Sequence, residues 1–297
     1  MSYLINTLSS NCTAIVIESN SRDNLLEISP EFLLTNLKKF GVVLFRGFDV
    51  TLPIFSTFIK TNSKKITYDP ARQTFFDYAQ KVDAGFDEVG LHLENGNAPV
   101  LPHCIWFFCN VAASEGSKTT VCDGATVWQN LSAPTKNIFL EKKIMYRRRV
   151  EEEMWKKYVA SELGGDITFD EVTTNHLEEL CESVEGQSVI LNHDGSIIST
   201  YCVSAVNKPL FMDGLAFSNS ILGPSYNYEE PEITFDDGSQ ISTDIWNEVK
   251  AVTEDAIVEI DWKDKDVVVI DNTRFMHGRR KILDARRELY AGLSYIV

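Results

Sequence analysis

Long hydrophobic runs are missing from this chain. Its most apolar stretches, residues 42–45, 104–109 and 267–270, end well before the ~20 residues that a bilayer requires, so no helical membrane span is expected. Positive charge is also scarce. The 28 Lys and Arg stand against 43 Asp and Glu, a formal net of −15, which is the wrong sign for a protein that grips nucleic acid by neutralising phosphates. The six cysteines include no C-x-x-C pair, and the opening MSYLINTLSS lacks the charged and apolar regions of a secretion signal, so a reducing cytoplasm is the expected setting. Cys104, Cys109, Cys122 and Cys202 sit in apolar or β-like runs and read as small core residues. No repeat, low-complexity segment or Pro/Gly/Ser-rich linker divides the chain. What remains is 297 residues at 44% hydrophobic, enough for one large core.

The pattern opens with a short strand at 14–18. A helix begun by Ser29-Pro30 follows, with Phe32, Leu33 and Leu37 on one face, and then a buried strand at 41–45. From about residue 91 short β-rich runs take over, at 104–110, 119–122, 188–191, 197–203, 257–260, 266–270 and 288–296. Helical stretches lie between them at 126–131, 150–162, 169–184 and 243–255. This predicts a mainly β protein with flanking helices (α+β), a sandwich or barrel in a single domain over 1–297. Residues 133–187 read as a helical insertion able to supply a lid.

With five histidines and about one residue in seven acidic, H-x-[DE] is expected about 0.7 times by chance. It occurs twice. His176-Leu177-Glu178 lies in a segment where Val172, Leu177, Leu180 and Val184 recur at helical spacing, an ordinary amphipathic helix. His92-Leu93-Glu94 lies in an extended segment closed by Asn95-Gly96-Asn97 and Pro99, where alternation sends His92 and Glu94 to one face. His277, after the strand at 266–270 and the turn Asp271-Asn272-Thr273, is the candidate third ligand. Two histidines and a carboxylate suit Fe(II) and leave positions open for substrate and oxygen; the same three residues would also suit a catalytic zinc. His103 precedes a bulky apolar run, and His193 sits in an Asn-His-Asp-Gly hairpin tip.

Near the C-terminal end Arg287, Leu289, Ala291, Leu293 and Tyr295 share one strand face. The apolar members make it the buried face, while Arg286 and Glu288 point to solvent. An inward Arg287 needs an anion, either a bound carboxylate or a structural acidic partner. The basic run Arg147-Arg148-Arg149 is followed at once by Glu151-Glu152-Glu153 and reads as a charge-balanced surface stretch.

Together these residues resemble the TauD/TfdA family of Fe(II)- and 2-oxoglutarate-dependent dioxygenases over nearly the whole chain. Gly41-Val42-Val43-Leu44-Phe45-Arg46-Gly47-Phe48 is similar to that family's G-x-x-x-F-R-G-F strand, and the segment from Asp271 to Arg279 is similar to its D-N-x-R-x-x-H-G-R. The resemblance implies a double-stranded β-helix (jelly-roll) core. It implies His92, Glu94 and His277 as iron ligands, Thr119 and Arg287 as contacts to 2-oxoglutarate, and O2 as co-reactant, with succinate and CO2 as coproducts. The family's Gly-Gly-Asp/Glu-Thr/Ser turn reads Gly116-Ser117-Lys118-Thr119 here. Glu94 speaks against halogenation, since the related halogenases carry a small residue there. The stretches from His92 to Pro99, from Trp106 to Cys109 and from Phe217 to Gly223 are most similar to the PvcB/IsnB-like branch of isonitrile biosynthesis. That implies desaturation or oxidative decarboxylation of a tyrosine isonitrile in secondary metabolism. Asn95, Asn97, Phe217 and Asn219 are the candidate substrate contacts. The partner expected is a small molecule, with neither nucleic acid nor membrane. Rival readings are a hydroxylase of a free amino acid or small acid on the same fold, a non-catalytic metal or small-molecule sensor, and a zinc hydrolase, which gives Arg287 no reason to point inward.

Overall fold

The computed structural model describes residues 3–9, 13–69, 72–82, 85–163, 167–223 and 229–296. Two facing sheets form the core. In the larger, the central strands run in the order Ile15–Glu18, Val42–Arg46, Val267–Asp271, Cys104–Val111 and Glu288–Tyr295. The smaller runs Ile257–Ile260, Thr119–Asp123, Phe275–Arg279 and Val89–His92. Pairing is antiparallel throughout both except between Ile15–Glu18 and Val42–Arg46, which are parallel. This is a jelly roll: the two sheets close over a shared interior.

The strand Cys104–Val111 is apolar on both faces because both are covered. Ile105, Phe107 and Cys109 point between the sheets with Leu289, Ala291 and Leu293. Cys104, Trp106 and Phe108 point outward under the helices Pro30–Phe40 and Leu52–Thr61. Phe58 meets Trp106 edge-on at 5.7 Å, and the indole N–H of Trp106 donates to Ser294 Oγ at 2.9 Å, so the one polar atom of this large side chain is satisfied. The helix Pro30–Phe40 begins where its sequence dictates. Ser29 Oγ accepts from the Phe32 N–H, and Pro30 fills the first turn, where no N–H is needed. It ends at Gly41, at φ 75°, where a Cβ would lie 2.2 Å from the Phe275 ring.

The outer face of the smaller sheet packs Cys122 and Met276 against Val127 and Val249, from the helices Gly124–Asn130 and Thr243–Ala256. Residues 133–187 carry the helices Ala133–Glu141, Glu152–Glu162 and Thr174–Glu182, but also the strand Ile144–Val150. That strand joins Ile197–Val203, Gln187–Leu191 and Glu232–Phe235 in a third sheet. Its Arg-Arg-Arg sequence hides the strand from a hydrophobicity reading. Trp155, Val159, Val172, Leu177 and Ile197 give this region its own small core. Cys104, Cys109 and Cys122 are buried free thiols, as expected of core residues, whereas Cys202 is only half-buried and lies outside the core. No helix among the described residues is long and apolar enough to cross a membrane.

Candidate active site

His92 ends the strand Val89–His92, and His277 is the middle residue of Phe275–Arg279; the two are direct cross-strand partners. Their rings lie 4.3 Å apart between centroids. His277 is thus inside a strand, not beyond a strand end as the sequence suggested, because residues 275–279 form a strand of their own after the turn. The adjacent Gly278 permits the close approach, since a Cβ there would meet the Val89 carbonyl at 2.5 Å. Glu94 enters from the turn after His92, and donor atoms of His92, Glu94 and His277 all lie within 4.8 Å of one another.

The donors are prepared for a cation. His92 Nδ1 lies 2.8 Å from the Gly90 carbonyl, which only accepts, so Nδ1 carries the proton and Nε2 keeps its lone pair. Burial, with the neighbouring His277 and Arg72, lowers the His92 imidazole to about 4, so it is neutral at physiological pH. Burial alone would raise the Glu94 carboxyl, but the Arg72 guanidinium and the two histidines hold it well below the usual carboxylate range. Arg72 Nη2 donates to Glu94 Oε1 at 2.9 Å and Arg72 Nε pairs with Asp69 at 3.1 Å. Glu94 Oε2, buried, accepts no hydrogen bond among the described residues and faces His277 Nε2 at 3.5 Å.

The turn that carries Glu94 is pinned from below. Asn272, fully buried, accepts the Glu94 N–H at 2.8 Å and donates to the Glu94 carbonyl at 3.0 Å and the Pro102 carbonyl at 2.9 Å. Two residues on, Arg274 grips Asp123 with Nε at 2.9 Å and Nη2 at 2.5 Å. The D-N-x-R-x-x-H segment therefore positions one metal-ligand candidate through its Asn, clamps the end of Thr119–Asp123 through its Arg, and supplies another ligand candidate itself.

Farther along the interior, Arg287 lines a small pocket, about 250 Å³ counted out to solvent, with Cys109, Ser117, Asp261 and Trp262. It shares the inner face with Leu289 and Ala291, and Arg286 is exposed and paired with Asp284 at 2.8 Å, as strand alternation predicts. Arg287 Nε is buried without a hydrogen-bond partner, and the side chain forms no ion pair among the described residues. Burial and the nearby Arg279 lower its guanidinium to about 10. Thr119 is buried at the same end, its Oγ1 accepting the Trp262 indole N–H at 3.0 Å. Ser117 lines the pocket itself, at φ 63°, with a buried Oγ that has no partner among the described residues.

The sequence matches the family described as taurine catabolism dioxygenase TauD, TfdA family, over residues 13–293. The chain belongs to the TauD/TfdA family of Fe(II)- and 2-oxoglutarate-dependent dioxygenases. No curated relative matches the sequence. Among solved structures, PvcB from Pseudomonas aeruginosa is similar at 12% identity, with 99% of this chain and 90% of that one covered and a TM-score of 0.63. A second PvcB structure, described as an Fe, alpha-ketoglutarate dependent oxygenase from an isonitrile synthetic pathway, gives 12%, 99%, 90% and 0.61. AAD-2 in complex with Mn(II) and N-oxalylglycine gives 16%, 99%, 97% and 0.56. At these identities the likeness is one of fold.

The TauD/TfdA-family residues fit the family's cofactors. Three convergent N, N and O donors, one a buried carboxylate oxygen that accepts no hydrogen bond among the described residues, suit a divalent iron, and a buried cation with no anion among those residues suits a carboxylate. Asn95 and Asn97 line the large cleft beside the triad. Phe217 and Asn219 do not. Phe217 is fully buried against Phe139 at 5.0 Å, and the Asn219 side chain is spent on backbone groups of Ala205 and Ile221; both support the turn below the triad, where the Asn219 carbonyl accepts the Leu93 N–H. His176 stays on its helix, Nδ1 accepting from Thr173. Sequence reasoning missed Arg72, Asn272 and Ser117. Asn272 carried a signal as the Asn of the D-N-x-R-x-x-H-G-R segment and Ser117 in the departure of its turn from the family pattern, whereas Arg72 carried none.

Proposed function

We propose that this TauD/TfdA-family dioxygenase oxidises a small amino-acid-derived substrate, of the tyrosine-isonitrile type, by desaturation or oxidative decarboxylation, with succinate and CO2 as coproducts. The observation that carries the reading is the placement of His92 and Glu94 in one large cleft while Arg287, farther inside the barrel, has no ion-pair partner among the described residues. The branch assignment is supported by the fold shared with PvcB and by the His-Leu-Glu-Asn-Gly-Asn-Ala-Pro sequence.

His92, Glu94 and His277 would hold Fe(II), which together with 2-oxoglutarate supplies an oxidant strong enough to attack an unactivated C–H bond. Arg287 would fix the far carboxylate of 2-oxoglutarate through its fork of donors, with Ser117 or Thr119 adding a hydroxyl. Arg72 keeps Glu94 ionised and aimed, and Asn272 holds the turn beneath it. The remaining task is to present one C–H bond and exclude water. The cleft, about 1170 Å³ counted out to solvent, is roofed by Met154, Trp155 and Tyr158 from one helix and Leu177 and Leu180 from another. Residues 133–187 thus serve as a lid within a single dioxygenase domain.

The test is an anaerobic titration of metal-free protein with Fe(II) and then 2-oxoglutarate, watching for the weak visible charge-transfer band of a chelated keto acid. The band should appear, vanish in His92→Ala, Glu94→Ala and His277→Ala, and persist in His176→Ala. Bound metal without a band would refute the oxygenase reading. With the band in hand, mass analysis of products from a tyrosine-derived isonitrile separates desaturation, decarboxylation and simple hydroxylation.

A further inference from the structure

The roof of the cleft and the segment that aims Glu94 meet at one side chain. In the helix Glu152–Glu162, Met154, Trp155 and Tyr158 turn one face to the cleft. Lys157, Ala160 and Ser161 turn another face to a second cavity, about 1040 Å³ counted out to solvent. Lys65 also lines that cavity, and Asp69 and Arg72 line both hollows. The apolar packing of the helix is with its own unit, where Trp155 and Val159 meet Val172, Leu177 and Ile197. Its polar tie to the barrel strands, among the described residues, is Glu162. This carboxylate is buried, with 4% of the side chain exposed. It accepts from Thr67 Oγ1 at 3.1 Å, and Lys65 Nζ stands 3.7 Å away.

We infer that Glu162 is a positioning residue that couples closure of the roof to the aim of Glu94. The inference rests on the reading of His92, Glu94 and His277 as metal ligands and of residues 133–187 as a lid. Thr67 and Lys65 belong to the strand Lys65–Thr67, which is paired with Leu293, Ser294 and Tyr295. Two residues on, Gln80 ties Asp69 and Arg72 into one unit. Its Oε1 accepts the Asp69 N–H at 2.8 Å, and its Nε2 donates to the carbonyls of Asp69 at 2.8 Å and Arg72 at 3.2 Å. Asp69 holds Arg72 Nε at 3.1 Å, and Arg72 Nη2 donates to Glu94 Oε1 at 2.9 Å. A short run of polar contacts thus leads from the roof to a metal-ligand candidate. The joint is also built to part. The hydroxyls of Ser161 and Tyr295 beside it are buried without a hydrogen-bond partner among the described residues. Burial raises the Glu162 carboxyl above its ordinary value, and Lys65 and Thr67 offset this only in part. Charge on Glu162 therefore opposes closure, and a proton favours it. The titratable groups around it are Lys65 from the barrel strand and the phenols of Tyr158 and Tyr295, both raised by burial. His103, lowered by burial, packs on the Tyr295 ring at 5.1 Å.

Coupling is reciprocal, so metal at the triad must protect the roof. Amide hydrogen exchange of residues 152–162 is followed by mass spectrometry in the metal-free protein and after anaerobic addition of Fe(II), whose binding is measured separately by calorimetry. Fe(II) should slow exchange of the helix by about fivefold or more. Thr67→Val removes the donor to the carboxylate. It should speed exchange of the metal-free helix by about tenfold and abolish the protection by Fe(II). Glu162→Gln keeps an acceptor for Thr67 without the charge, so its metal-free helix should exchange more slowly than that of wild type. After division by the intrinsic rate, wild-type exchange should quicken as pH rises from about 5 to about 8, and that of Glu162→Gln should not. A contact that merely stabilised the helix would give loosening in Thr67→Val with the protection by Fe(II) intact. Bound Fe(II) that leaves the helix unprotected, protection that survives Thr67→Val, or faster exchange in Glu162→Gln than in wild type overturns the inference. Failure of Fe(II) to bind refutes the triad reading itself, and the inference falls with it.

Discussion

Replacing Arg287 with Met should make the metal-free protein more stable while removing its cosubstrate site. Burial and Arg279 lower the Arg287 guanidinium to about 10, and each tenfold loss of proton affinity corresponds to about 1.4 kcal/mol. The folded state therefore carries a penalty of the order of 3 kcal/mol for holding this charge without an anion. Solvent reaching the outer part of the side chain reduces this, so Arg287→Met is expected to gain about 1–3 kcal/mol in urea unfolding of the metal-free protein. Methionine fills similar length without a charge. Binding should move the other way. Two charge-assisted hydrogen bonds of roughly 1.5–3 kcal/mol each are lost, so 2-oxoglutarate affinity should fall a hundredfold or more. Wild type should gain stability on adding Fe(II) and 2-oxoglutarate beyond the effect of Fe(II) alone, and the variant should not. Arg286→Met, at the exposed neighbour paired with Asp284, should change neither quantity. The reasoning is refuted if Arg287→Met destabilises the metal-free protein by 2 kcal/mol or more, as breaking a structural ion pair would, or if 2-oxoglutarate binding survives.

Asn272→Ala strips the partners from the Glu94 N–H, the Glu94 carbonyl and the Pro102 carbonyl. With each buried orphan costing about 1–3 kcal/mol, it should destabilise the fold by about 3 kcal/mol or more. Metal affinity should drop about 10- to 100-fold, which urea unfolding and a metal titration would check. The pH dependence follows from His92. The unfolded chain takes up its proton near 6.5 and the folded chain only near 4. The unfolded state therefore binds more protons in between, and this contribution to stability, present above 6.5, is lost as pH falls to 4. Metal-free wild type should lose about 3 kcal/mol more than His92→Gln across that window; equal slopes in the two proteins would show that His92 is not buried as described.

Much of the barrel was legible because its strands are locally unambiguous. The apolar run at 104–110, with its Val/Ile-rich neighbours at 41–45 and 266–270, admits few alternatives to a doubly covered strand, and Ser29-Pro30 marks the start of a helix. The triad was legible for a looser reason: His92 and Glu94 stand two residues apart, so that even though the strand ends at His92 and Glu94 sits in the following turn the two still converge, and the rival His176 betrays itself by helical periodicity. Strand parity alone separated Arg287 from Arg286.

The residues that the sequence did not reveal owe their roles to contacts between distant segments. Arg72 meets Glu94 across 22 positions and Asn272 reaches it across 178; nothing in the composition around either residue encodes the partner. Phe217 and Asn219 looked like cleft residues because they lie in a family-like stretch, yet packing turns them beneath the triad. The Arg147-Arg148-Arg149 run shows the limit most plainly. Its composition and the acids that follow describe a solvated surface, and two of the three arginines obey. Only the pairing of Arg148 with Ser199, in a sheet closed by residues some fifty positions away, turns the third into the cleft. Local pattern determined which segments became strands and which side chains had the chemistry to bind iron; the tertiary pairing decided which charges were aimed, pinned or left waiting for an anion, because burial and proximity exist only once the sheets close.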